Sequence, residues 1–216
     1  MSFSGEEVDP QVLWSCRMGE EAAAVVRDLV VESRRVLPGS VEVLHERGVP
    51  EARLGGVRIE VSMARSHGYV AACAAPDSSV GWLGIDVEAV EPFLASGTRA
   101  SDFAGVALGP AELSWFRAAA GASETQRLLW LLRTWVRKEA VLKSMHTGLD
   151  TARGGLAPSA VALSAPWESA ACLSHPDLTV TDLFSDAHGD AVILAAAQNP
   201  AAARPPARPV DGAAPG

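Results

Sequence analysis

The sequence predicts an α+β fold in which antiparallel strands pack on one long helix. Three observations carry this reading. Apolar residues recur at helical spacing in some segments and alternate with period two in others. Two apolar runs, Tyr69 to Ala75 and Val80 to Val87, flank Pro76-Asp77-Ser78-Ser79, which predicts a hairpin and so antiparallel pairing. A capped stretch from Ser123 to Met145 is long enough to cover a sheet face.

The elements follow in order. Glu20 to Leu37 mixes apolar and charged residues at helical spacing and stops before Pro38-Gly39, so it predicts a helix. Val57 to Val61 alternates with period two and predicts a strand. Pro110 to Ala120 predicts a helix with proline in its first turn and Gly121 after its end. Ser123-Glu124-Thr125-Gln126 has the capping-box pattern that opens the long helix, and Gly148 is its stop signal. Short strands are predicted at Ala160 to Ser164, Leu178 to Phe184 and Ala191 to Ala197. From Gln198 to Gly216 the chain is mostly Ala, Pro, Arg and Gly, which predicts a disordered tail.

Composition narrows the function. A chain of 216 residues holds one large domain or two small halves. Its 48% apolar and 20% charged residues suit a soluble globular protein, and no apolar run is long enough to span a membrane. The first residues, Met1 to Glu7, lack the basic and apolar regions of a signal peptide, which predicts a cytoplasmic protein. Cys16, Cys73 and Cys172 are odd in number and widely spaced, so they predict neither a disulfide framework nor a zinc site. A net charge of −8 argues against broad nucleic-acid binding and leaves room for a local basic patch.

The chain has two lysines, Lys138 and Lys143, in Trp135-Val136-Arg137-Lys138-Glu139-Ala140-Val141-Leu142-Lys143; every other Lys/Arg position is arginine. Lysine is a compact point charge where arginine is a planar fork, so its retention here marks the segment. Glu139 and Lys143 are four apart and share a helix face with Trp135, as a salt bridge beside the core or as ligand groups. Asp86 and Glu88, in Gly84-Ile85-Asp86-Val87-Glu88, are two apart and share a strand face. Two adjacent carboxylates need a cation or solvent between them, and oxygen donors suit Mg²⁺; a polar strand end facing water is the plain alternative. Arg127, Arg133 and Arg137 give the long helix a basic edge suited to an acidic partner or a polyphosphate, or to solubility. Ser62 to Tyr69 brings Arg65, Ser66, His67 and Gly68 to a turn, where phosphate-binding groups and ordinary turn residues look alike. P-loop, nucleophile-elbow and dinucleotide fingerprints are not found.

The order Gly84-Ile85-Asp86-Val87-Glu88, then about fifty residues, then Trp135 to Lys143, then Thr147-Gly148-Leu149 resembles the 4′-phosphopantetheinyl transferases over residues 57 to 197. With some eighty residues ahead of the first motif, the chain is similar to the larger, pseudodimeric type that serves polyketide and non-ribosomal peptide assembly. The resemblance implies two similar α/β halves with the active site between them, residues 1–78 and 79–197, followed by the 198–216 tail. It implies transfer of phosphopantetheine from coenzyme A to a serine of an acidic acyl or peptidyl carrier protein, with release of 3′,5′-ADP, by a monomer. Asp86, Glu88 and Glu139 would hold Mg²⁺, for which Mn²⁺ can substitute chemically. Glu139 would take the serine proton and Lys143 would meet the phosphates. Coenzyme A would be met by Arg65, Ser66, His67, Asp86, Lys138 and Lys143. The family's Ser-His-Ser is altered here: counted back from Tyr69, its histidine falls on Arg65; counted from Ser66-His67, it falls on His67. A carrier-binding relative without catalysis and a Mg²⁺-dependent phosphohydrolase are the alternatives.

Overall fold

The computed structural model describes residues 12–46, 49–75, 81–146, 155–183 and 192–200. Strand β1 (Leu13–Met18) leads into helix α1 (Ala22–Arg34), followed by β2 (Val41–Glu46), β3 (Val49–Leu54), β4 (Val57–Ile59), β5 (Val61–Ser66), β6 (Tyr69–Ala74) and β7 (Trp82–Ala89). Helices α2 (Val90–Ala95), α3 (Ala100–Ala107), α4 (Pro110–Ala118) and α5 (Glu124–Ser144) come next, then β8 (Thr179–Leu183) and β9 (Val192–Asn199). Three antiparallel sheets result, ordered β1-β6-β5, β2-β3-β4 and β7-β9-β8.

The layers follow from side-chain alternation. Val61, Val70, Ala72 and Ala74 face α1 and pack with its Val25, Val26, Leu29 and Val30. The opposite face, with Ala64, Ala71 and Cys73, packs on Leu83, Ile85 and Val87 of β7. Beyond β7 and β9, the far side of that sheet packs on α5 through Ala195, Ala197, Val136, Ala140 and Val141. The order is therefore α1, sheet, sheet, α5. At the seam, Ser62 Oγ accepts from the Ile85 N–H and Ser66 Oγ from the Ala89 N–H, both at 3.2 Å. Two hydroxyls four residues apart thus hold β7 alongside β5.

Several expectations change. The segment 69–75 does not pair with 80–87. β6 is the middle strand of its sheet, with both edges bonded to β1 and β5, so β7 takes β9 as partner. The hairpin that does form joins β5 to β6 through His67 (φ 45°) and Gly68 (φ 85°), both left-handed, as a two-residue type I′ turn requires. The strand predicted over 57–61 breaks at Glu60 and passes from one sheet to another. Ala160 to Ser164 forms no strand: Pro158–Ala160 is a 3-10 turn, and the Leu163 N–H is taken by Glu112 Oε1 at 3.0 Å. Strand β9 extends through Gln198 and Asn199, past the expected start of the tail. Residues 201–216, Thr147-Gly148-Leu149 and the Pro76 to Ser79 turn lie outside the described residues. The long helix is as expected, with Ser123 Oγ accepting from the Gln126 N–H at its start.

Candidate functional site

Helix α5 crosses β7 closely because residue 84 is glycine. A Cβ there would stand 1.9 Å from the Ala140 carbonyl oxygen and 2.6 Å from the Ser144 nitrogen. Alternation then presents Trp82, Gly84, Asp86 and Glu88 on the α5 side of β7, while Ile85 and Val87 go to the core between the sheets. Helical spacing turns Glu139 and Lys143 toward the same seam.

Lys143 Nζ donates to Asp86 Oδ1 at 2.7 Å and to the Ile85 carbonyl at 3.1 Å. Asp86 Oδ2 and Glu139 Oε1 are buried and have no hydrogen-bond partner. Burial pushes Asp86 up to about 6; Lys143 opposes the rise and the Glu88 charge adds to it. Burial pushes Glu139 up to about 7, assisted by the charge on Asp86 and opposed by Lys143. Ser66, at the end of β5, donates to Glu88 Oε2 at 2.6 Å, so the hydroxyl predicted for the ligand site instead orients a carboxylate. Asp86, Glu88, Glu139, Lys143 and Ser66 are thus brought together where α5, β7 and β5 meet.

Two unpartnered buried carboxylate oxygens, each on a group whose ionisation burial opposes, suit a hard divalent cation. Among the described residues the carboxylates are not gathered into a three-ligand cluster, since Lys143 stands on Asp86 and Ser66 holds Glu88. Asp86 and Glu139 are the residues that fit such an ion, with Glu88 beside them.

Arg65 and His67 lie elsewhere. Arg65 alternates with Ser66 and projects from the α1 side of β5. It is exposed and lines a groove of about 460 Å³ with Gly19, Glu20, Glu21, Gly68 and Tyr69. His67 is exposed at the hairpin tip.

Lys138 is not available to a ligand. It is fully buried, and its ammonium binds Glu112 Oε2, the Ala107 carbonyl at 2.8 Å and the Pro158 carbonyl at 3.0 Å. All three donors of an ammonium are therefore used. Burial lowers its pKa, with Glu112 opposing. Glu112 in turn accepts from the Gly109 N–H at 2.9 Å, so this pair ties α5 to the start of α4. The basic edge of α5 is spent in the same way. Arg137, 1% exposed, grips both oxygens of Asp182 at 2.9 and 2.6 Å, and Arg133 joins at 2.6 Å. Burial pushes Asp182 up, but the hydrogen bonds from both arginines outweigh it and hold the carboxyl below the ordinary range. Arg127 lies over the Phe116 ring. Asp182 and Glu112 escaped the sequence reading because nothing local marks a lone carboxylate as the partner of a distant cation.

Buried carboxylates with one ammonium, on a strand held tight to a helix, make this seam the candidate site and suit it to a cation. The family model of the 4′-phosphopantetheinyl transferase superfamily matches residues 83–195, and the chain belongs to that superfamily. No curated protein matches the chain. Membership implies a transferase of phosphopantetheine; the family uses coenzyme A and a divalent metal and acts on carrier proteins. No helix among the described residues is long and apolar enough to cross a membrane.

Proposed function

We propose that this chain is a phosphopantetheinyl transferase of the larger, pseudodimeric type. It moves 4′-phosphopantetheine from coenzyme A to a serine of an acidic acyl or peptidyl carrier protein of polyketide or non-ribosomal peptide assembly. It releases 3′,5′-ADP and works as a cytoplasmic monomer. The observation that carries this reading is the pair of unpartnered buried oxygens, Asp86 Oδ2 and Glu139 Oε1, beside Lys143.

Each residue then has a task. Glu139, whose Oε1 has no other partner, would accept the serine proton. Lys143 supplies the fixed positive charge next to the reacting phosphate and is the better-placed of the two lysines. Asp86, Glu88 and Glu139 would hold Mg²⁺, or Mn²⁺, which neutralises pyrophosphate charge. Ser66 fixes Glu88 through its Oε2. Arg65 suits the 3′-phosphate of coenzyme A, since a guanidinium fork binds phosphate bidentately, and His67 at the neighbouring tip is the alternative contact. A cavity of about 410 Å³ lies along α5, lined by Leu129, Trp130 and Ile193 together with Gln126, Arg133 and Asp182, and Ile193 is the register partner of Glu88.

The test is incubation with coenzyme A, Mg²⁺ and a panel of apo carrier proteins, read by intact mass. Gain of phosphopantetheine that stops with a chelator and returns with Mg²⁺ is expected. No gain on any carrier refutes transfer, and binding without gain assigns the chain to a non-catalytic carrier-binding role.

A further inference from the structure

His146 takes no part in that chemistry, yet it follows directly on the end of α5, seven residues after Glu139 and three after Lys143. Its φ is 55°, in the left-handed region where a helix ordinarily ends on glycine or asparagine. A side chain with a Cβ is disfavoured there, and the contacts of the imidazole offset that cost. Two contacts hold it. The ring stacks on Trp82, with centroids 4.4 Å apart and planes 10° from parallel. Nε2 lies 2.9 Å from Glu60 Oε1, a carboxylate that also faces Arg58 at 3.8 Å. Trp82 belongs to β7, and Glu60 is the break between β4 and β5. The histidine therefore bolts the end of α5 to both sides of the seam.

The backbone completes the arrangement. The His146 N–H donates to the Lys143 carbonyl at 3.0 Å, and the Met145 N–H donates to the Val141 carbonyl at 3.1 Å. The last carbonyls of a helix otherwise lack partners, and the last turn frays first. Lys143 lies in that turn, with a side chain 31% exposed and its ammonium on Asp86 Oδ1 and the Ile85 carbonyl. Where Nζ stands thus depends on whether the final turn stays wound.

We propose that His146 is a positioning residue for Lys143: its clasp on Trp82 and Glu60 keeps the last turn of α5 wound and the ammonium on Asp86 Oδ1. The effect on catalysis rests on the phosphopantetheinyl-transfer reading; the effect on the helix does not.

His146→Gly tests it, because glycine keeps the left-handed backbone and removes the ring. Amide hydrogen exchange of Ser144 and Met145 should quicken by tenfold or more, with Val136 to Ala140 unchanged. In thermal unfolding, His146→Gly and Lys143→Met should be non-additive, since a displaced ammonium has less left to lose. Glu60→Ala should reproduce part of the exchange effect and add little to His146→Gly. Where the parent transfers phosphopantetheine, kcat should fall about tenfold with KM for the carrier within twofold. A merely structural residue would not split the two constants. Parent-like exchange, additive unfolding shifts, or an unchanged kcat each overturn the proposal. A parent that transfers nothing refutes the functional reading, while exchange and unfolding still decide the clasp.

Discussion

Replacing Glu139 by glutamine should make the metal-free protein more stable at alkaline pH while abolishing transfer. Glu139 is 8% exposed, and its Oε1 has no partner. Its pKa rises from the 4.5 of an ordinary glutamate to about 7. A folded-state pKa above the unfolded one means that the folded chain holds a proton the unfolded chain has lost. Stability therefore falls as pH climbs from about 4.5 to 7 and stays low above that range. At about 1.4 kcal/mol per pH unit, ionising this carboxylate costs the folded state about 3 kcal/mol at pH 8. Water entering the seam lowers the usable gain to about 1–3 kcal/mol. For a chain of this size that corresponds to a Tm increase of about 3–10 °C for Glu139→Gln at pH 8. At pH 5 the native carboxyl is already protonated, so parent and variant should melt within about 2 °C. Melting curves by circular dichroism at both pH values, in the presence of a chelator, make the comparison. A variant less stable than the parent at pH 8, or equally stabilised at both pH values, refutes the reasoning.

Other substitutions separate the parts of the site. Lys138→Ala should cost about 3–5 kcal/mol in urea unfolding, because Glu112 is left buried and unpaired, with KM for coenzyme A unchanged in whatever protein folds. Arg65→Ala should raise KM for coenzyme A about tenfold and leave KM for 3′-dephospho-coenzyme A unchanged, which steady-state kinetics with both substrates will show. Gly84→Ala should unfold the chain or lift α5 from β7, seen as a large loss of Tm, since the new methyl meets backbone that cannot swing aside. Addition of Mg²⁺ or Mn²⁺ should raise Tm of the parent at pH 8, and Asp86→Asn should remove that increase.

Legibility in the sequence followed the range of the interactions. The Ser123 cap of α5 and the strand around Asp86 are local, and each is where its pattern placed it, whereas the ion pair of Lys143 is with Asp86 across the seam and not with Glu139 on its own helix. Strands β1, β2 and β3 were missed, although Val41-Glu42-Val43 alternates and could have been read. Tyr69 to Ala74 is small and apolar on both faces, so only the turn residues after it pointed to a partner, the run from Val80, whereas sheet order depended on contacts distant in sequence. Lys138 shows the same limit. One residue from Glu139, it lies about 100° around the helix. Its surroundings come from α4 and the 158–163 segment, which nothing in Trp135 to Lys143 announces.

The segment Trp135 to Lys143 divides its residues between two masters. Arg137 and Lys138 answer to folding, through Asp182 and Glu112. Under the proposed transfer, Glu139 would answer to chemistry, at a cost in stability. A descendant released from selection for transfer would keep the first two, because losing Lys138 leaves Glu112 without its cation and losing Arg137 leaves Asp182 with Arg133 alone. It would shed the third readily, because an uncharged replacement relieves the fold. In related chains the state of position 139 is therefore a sharper sign of living chemistry than the persistence of the motif around it.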